Sequence, residues 1–209
     1  MSPTVKSRTA VTAALAATLL AGCATTPGAG PVEITRFHDA AALAQIGQGT
    51  VFVASAPGED ADSLELSAYK LEVLNELVAL GYQESSREQA DHIAQVSLKR
   101  YKIEPEAGGR GPVSVGVGGS TGGYRSGVGL GVGINLGGGG NKDRVGTDVS
   151  VRINDAASNQ ALWEGRASLS VGRDSPLAEP AANADIIADA LFQDFPGNDG
   201  ETIEVEVDE

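Results

Sequence analysis

Residues 148–171, DVSVRINDAASNQALWEGRASLSV, decide the fold. Val149, Val151 and Ile153 fall on alternate positions, the period of a strand with one buried face. Asp155-Ala-Ala-Ser-Asn159 then supplies turn chemistry, because Asp, Ser and Asn side chains bond back to their own backbone. A second apolar arm, Ala161 to Val171, follows through Leu162, Trp163, Ala167, Leu169 and Val171. Two such arms around a short polar turn predict a β-hairpin.

Upstream, His92 to Ile103 alternates in the same way, with His92, Ala94, Val96 and Leu98 on one side and Ile93, Gln95, Ser97 and Lys99 on the other. Residues 50–55, TVFVAS, are rich in β-branched and aromatic side chains and predict another strand. Val32 to Ala44 reads as a first short strand followed by loop or helix, and Tyr82 to Ser85 as a short strand. A helix lies between these segments. Asp62 with Glu65 three residues on has the form of a capping box. Leu64, Ala68, Leu71, Leu74, Leu77 and Val78 recur at helical spacing as one apolar face, and Gly81 closes the helix in a left-handed conformation. A last helix spans Ala184 to Phe195, with Ile186, Ile187, Ala190, Leu191 and Phe195 at helical spacing before Pro196-Gly197.

The order β-α-β-β-β-β-α predicts an α+β domain: a mostly antiparallel sheet with two main helices packed on one face and a glycine-rich β-hairpin insert. The insert is residues 108–140. Val113, Val115 and Val117, then Val128, Leu130, Val132, Ile134 and Leu136, alternate with glycine, serine or asparagine. This pattern favours two strands with one bare face over a low-complexity loop. Residues 197–209 carry Ile203, Val205 and Val207 alternating with acids, an edge-strand pattern, but their charge favours a disordered acidic tail.

The N-terminal residues carry a different kind of signal. Lys6 and Arg8 precede an apolar run from Ala10 to Leu20, and Leu20-Ala21-Gly22 leads into Cys23, the one cysteine of the 209-residue chain. Charge, a short apolar segment and small residues before a cut are the layout of a secretory signal peptide over residues 1–22. The run is shorter than the roughly 20 residues that span a bilayer. Leu-Ala-Gly-Cys resembles the lipobox at which bacterial lipoproteins are acylated and cleaved. That resemblance implies a diacylglyceryl group on the Cys23 sulfur and membrane lipid as a partner. Ala24, where an aspartate would imply inner-membrane retention, implies the periplasmic face of the outer membrane of a Gram-negative cell. Residues 23–31 then form a small-residue tether ahead of a domain over 32–196.

The formal charge is −13, and loss of Lys6 and Arg8 with the leader takes it to −15. A polyanion is a poor partner for nucleic acid, whose binding rests on phosphate neutralisation. With no second thiol and two histidines, His38 and His92, no zinc site and no cofactor is expected. Gly140-Asn141-Lys142-Asp143 breaks the order a phosphate-binding loop needs. Gly118-Gly119-Ser120-Thr121-Gly122 matches the nucleophile elbow of serine hydrolases, but neither histidine follows Ser120 and glycines interrupt any helix after it. Asp39 beside His38 reads as a solvated loop pair. Asp91 and His92, as neighbours on a strand, are expected on opposite faces. Trp163 and Tyr101 read as core or sheet-surface residues. No catalytic residue is expected.

Several segments together resemble the bacterial lipoproteins that carry domain of unknown function 4136. They are the helix leading into Leu80-Gly81-Tyr82, the strand start Ala90-Asp91-His92-Ile93-Ala94-Gln95-Val96, the hairpin Val151-Arg-Ile-Asn-Asp155 with Ala161-Leu-Trp163-Glu-Gly165-Arg-Ala167, and the closing helix ending Phe195-Pro196. The first strand departs from the family's usual opening. The resemblance covers about residues 32–196 and implies no catalytic residues. The expected role is a non-enzymatic envelope lipoprotein acting by contact with envelope proteins or lipid. A lipid- or small-ligand-binding module is the alternative, and a Ser120 hydrolase a remote third.

Overall fold

A computed structural model describes residues 29–104 and 143–207, apart from 43 and 45. Cys23, Ser120 and the glycine-rich segment 108–140 lie outside the described residues, so the expected lipid site and insert hairpin are not seen.

The described chain is α+β. Strands β1 (Val32–His38), β2 (Thr50–Ser55), β3 (Gln83–Glu84), β4 (His92–Ile103), β5 (Arg144–Asp155), β6 (Ala161–Gly172) and β7 (Thr202–Val205) form one sheet in the order β3-β2-β4-β5-β6-β1-β7. The β5–β6 hairpin forms as its alternation predicts, and β4 pairs antiparallel with β5 along its whole length. The sheet is mixed, however: β2 runs parallel to both β3 and β4. Helix α1 (Leu64–Ala79) causes this, because it carries the chain back along the sheet so that β4 starts beside the start of β2.

Helices α1 and α2 (Pro180–Phe192) cover the sheet face formed by Val32, Ile34, Ala94, Val96, Val149, Val151, Ile153, Ala167 and Leu169, giving one continuous core. The helix boundaries differ from expectation in instructive ways. The N-cap of α1 is Ser63, whose Oγ accepts from Leu66 N at 3.2 Å, rather than Asp62. Glu65 therefore closes no capping box and pairs instead with Arg100 at 2.6 Å. At the other end Gly81, at φ +109°, and Tyr82 bond back to Val78 O and Leu77 O, the paired closure of a Schellman motif. The buried face of α1 is Leu66, Tyr69, Val73 and Leu77, each contributing roughly 1.5–3 kcal/mol of burial. Leu64, Leu71 and Val78, expected in the core, are exposed. Both stripes have helical spacing, and docking against α2 and the sheet chose between them. Helix α2 starts four residues earlier than expected, at Pro180, where proline suits a first helical turn.

The tail is the second correction. Its residues 202–205 form β7 against β1, with Ile203 beside Ile34 and Val205 beside Val32 on the core face. Arg36, 1% exposed, fixes this segment. Its guanidinium donates to Glu201 at 3.0 Å, to Leu191 O at 3.2 Å and to Ala190 O at 3.3 Å. Acidic composition suggested disorder because it counted charge without this buried partner. Nearby, Trp163 folds along β6 over Gly165, where a Cβ would lie 2.2 Å from the indole. The indole stacks on Phe192 and donates to Pro196 O at 3.0 Å.

Two predictions concern this core. Arg36→Met removes the guanidinium that donates to Glu201, Leu191 O and Ala190 O and is expected to lower the urea midpoint of unfolding. Amide exchange should rise in β7 at the same time. Tyr69 donates to Asn183 Oδ1 at 2.7 Å, and burial pushes its phenol up to about 12. A raised folded pKa means stability is complete below pH 10 and lost as pH rises toward 12. Tyr69→Phe should flatten that alkaline loss and, by orphaning Asn183, lower stability at pH 7 by about 1–3 kcal/mol.

Candidate functional site

One end of the sheet carries the site. There the starts of β2 and β4 meet the end of β5, with His92 opposite both Val51 and Asp155. An open cavity of about 470 Å³ is lined by Gly49, Asp91, His92, Asp155 and Ala156 among others. Sequence alternation placed Asp91 and His92 on opposite faces. The structure brings both to this cavity, because Asp91 precedes the first residue of β4 and is not bound by the strand's alternation.

Each acidic side chain is fixed by local bonds. Asp91 Oδ2 accepts from Thr50 N at 2.9 Å and from Thr50 Oγ1 at 2.7 Å, which ties the start of β2 to the start of β4. Asp155 Oδ1 accepts from Ser158 N and Ser158 Oγ, both at 2.7 Å, and so shapes the β5–β6 turn. The Thr50 bonds hold the Asp91 carboxyl below its usual range, and the Ser158 bonds do the same for Asp155. His92 adds a smaller lowering to both.

The His92 imidazole is 6% exposed and meets the Tyr82 ring edge-on at 5.6 Å. Its Nδ1 is buried with no hydrogen-bond partner among the described residues. Gly49 lies against this group at φ +84°, and a Cβ there would sit 3.0 Å from Asp91 Oδ2 and 3.5 Å from His92 Cε1. Glycine is needed here both for its backbone conformation and to keep the cavity open. Among the described residues, no group of three or more His, Cys, Asp or Glu is arranged to hold a metal ion.

The other residues weighed in the sequence fall elsewhere. Asp39 is exposed and caps the short turn after β1, accepting from Ala41 N at 2.8 Å and Gln160 Nε2 at 3.1 Å. His38 pairs across the sheet with Trp163, away from the cavity. Trp163 is core, and Tyr101 lies on the open sheet face over Gly146. Sequence reasoning passed over Asp155 as a turn residue and Gly49 altogether. Only the pairing of β4 with β5 and β2 brings them to His92.

These features define an α+β module: a seven-stranded mixed sheet with both described helices on one face. The chain belongs to the family described as Domain of unknown function (DUF4136), which it matches over residues 38–197. It is 33% identical over 63 residues to the uncharacterized protein ZMO1243 of Zymomonas mobilis subsp. mobilis, a match covering 30% of this chain and 24% of that protein. The chain thus aligns with about a quarter of that relative's length. Among solved structures, a PDZ domain protein from Parabacteroides distasonis matches with a TM-score of 0.53 at 15% identity, over 84% of this chain and 38% of that one. At that identity the likeness is one of fold alone. The PelC dodecamer from Paraburkholderia phytofirmans matches with a TM-score of 0.43 at 10% identity, over 77% of this chain and 94% of that one. No described helix is long and apolar enough to cross a membrane.

The site carries a prediction of acid sensitivity. Asp91 is depressed below its ordinary 3.8, so it contributes stability above that value and loses it as pH falls through the lower folded value. Asp91→Asn keeps an acceptor for Thr50 but no charge. It should lose less stability than the wild type between pH 6 and pH 3, read as the change in urea midpoint at each pH.

Proposed function

We propose that this protein is a lipid-anchored envelope module, held by acylated Cys23 to the periplasmic face of the outer membrane, that works by contact with envelope partners and not by catalysis. The observation that carries this reading is Leu20-Ala21-Gly22-Cys23 closing a basic-then-apolar leader a few residues before the folded domain. Two or more acyl chains hold a protein stably on a bilayer where one holds it marginally, at about 0.8 kcal/mol per buried methylene.

The geometry of the domain supports the reading. Ala29 bridges Val171 at the end of the sheet where Arg144 pairs with both Gly172 and Ile103. The chain therefore enters the fold at the same end from which residues 104–143 depart. The stretch from Cys23 to Ala29 reaches at most about 20 Å. On this reading the root of the glycine-rich segment faces the bilayer. The His92 cavity lies at the opposite end, about 36 Å away along β4. The alternating Val-Gly residues of that segment are then the proposed contact surface for envelope proteins or lipid. A second reading, a small-ligand-binding module on the same anchor, is favoured by the cavity around His92.

Cys23→Ser should leave an uncleaved precursor or release the protein from membranes, read by fractionation and by the mass of the mature N-terminus. A processed, membrane-bound Cys23→Ser protein would overturn the anchor. In-membrane photocrosslinking from Val128 tests the contact surface. A specific envelope adduct supports it, and reaction with solvent alone removes it.

A further inference from the structure

The outer side of α1 carries a row of apolar side chains that no described residue covers. Leu64 is 88% exposed, Leu71 55% and Val78 48%. Lone exposed leucines are ordinary on a protein surface. These three, however, stand seven residues apart, and such positions drift by only about 20° around a helix per step. They form one straight stripe, with Ala68 and Asn75 filling the intervals. Among the described residues five large hydrophobic side chains are exposed, and this helix holds three of them. A row that advances by alternating steps of four and three is the seam one helix offers to another. It lies on the side of α1 opposite Leu66, Tyr69, Val73 and Leu77, so the core does not use it.

Charge decides what can lie there. Glu72 and Glu76 stand along the edge of the stripe nearer α2, and Asp185 and Asp189 of α2 lie close enough to act on Glu76. Burial, together with Asp189, Asp185 and Glu72, holds the Glu76 carboxyl above its usual range. None of these four carboxylates has an ion-pair partner among the described residues. Lys70 is the one cation on the two helices, and it is turned toward Ser55 of β2. An antiparallel pair of α1 helices from two copies would set the acidic edges against each other. A parallel pair would set them against Ser67 and Leu74 and leave every carboxylate unpaired. An anionic bilayer surface is repelled by the same edge. A helix with lysine or arginine beside its own apolar row covers Leu64, Leu71 and Val78 and at the same time answers the acids. We propose that the outer face of α1, with its acidic edge toward α2, docks an amphipathic helix of another protein whose apolar stripe is bordered by lysine or arginine. This surface is separate from Cys23 and from residues 108–140, so its failure would leave the anchor and the contact surface proposed there intact.

The test uses the full-length acylated protein in phosphatidylcholine nanodiscs with isotope-labelled leucine and valine methyl groups. Leu71→Ala and Val78→Ala assign the two signals that matter. The probes are a helical peptide about as long as α1, with a leucine stripe edged by lysine, and the same peptide with glutamate in place of each lysine. The expected result is a saturable shift of the Leu71 and Val78 methyls with the lysine peptide at a Kd of about 100 μM or tighter. The glutamate peptide should bind at least about tenfold more weakly. Salt at about 1 M, which shortens the screening length to about 3 Å, should close most of that gap. Glu72→Lys combined with Glu76→Lys should reverse the preference. No saturable shift at these methyls, or equal binding of the two peptides, would overturn the proposal. So would a shift of the same methyls on raising protein concentration alone, which marks a second copy as the occupant, or on exchanging phosphatidylcholine for phosphatidylglycerol, which marks the bilayer. The comparison of the two peptides on the wild type needs no altered side chain, so a variant that fails to fold does not weaken the test.

Discussion

A guanidinium buried in the core, that of Arg36, sets the terms for much of this structure. An isolated buried charge is costly, and it persists only where hydrogen bonds and an opposite charge surround it. Here there are three such partners. Two are carbonyls in the last turn of α2, Ala190 O and Leu191 O, where the helix dipole is negative, and the third is Glu201 in the segment leading into β7. Satisfying Arg36 therefore positions the end of α2 and recruits the C-terminal strand to the sheet. Gly197 lies against the same side chain, with space for no Cβ beside Arg36 Cδ and Nη1. Trp163 completes the arrangement by bonding to Pro196 O from the neighbouring strand. Strands β1, β6 and β7 and helix α2 are thus joined at one buried polar centre.

The other half of the domain uses a related device. Tyr69 on α1 donates to Asn183 on α2, and Asn183 in turn donates to Leu177 O at 2.8 Å. Arg100 on β4 reaches Glu65 of α1 and Ala178 O in the turn before α2, both at 2.6 Å. These buried or half-buried polar links fix which side of α1 faces inward. Apolar spacing alone allowed two sides, and a hydroxyl that must find its partner is less permissive than a leucine. The exposure of Leu64, Leu71 and Val78 follows from that choice.

The sheet has two unlike ends. At one, the chain enters at Ala29 beside the pair Arg144 and Gly172, and residues 104–143 leave and return. At the other, His92, Asp91 and Asp155 surround a cavity whose floor is kept open by Gly49. Twelve-residue strands separate the two ends, so events at one need not touch the other.

The sequence determined a good deal by itself. Strict alternation fixed β4 as His92–Ile103 and located the hairpin of β5 and β6, because a pleated strand with one buried face leaves a period-two record. The Trp163-Glu-Gly165 step was visible as a motif, although its reason, an indole lying over a glycine, was not. Gly81 was readable as a helix stop because only its left-handed backbone closes that turn. Other features depended on partners far along the chain. The parallel placement of β2, the order of the acidic C-terminal segment and the inward face of α1 all follow from contacts between elements, which no local pattern records. The candidate site belongs to this second group. Asp91 and His92 are neighbours in sequence, yet Gly49 and Asp155 join them only when β2, β4 and β5 are laid side by side. The sequence names the residues and their local conformations; the sheet register decides which of them share a cavity, since strand pairing brings together groups that chain distance keeps apart.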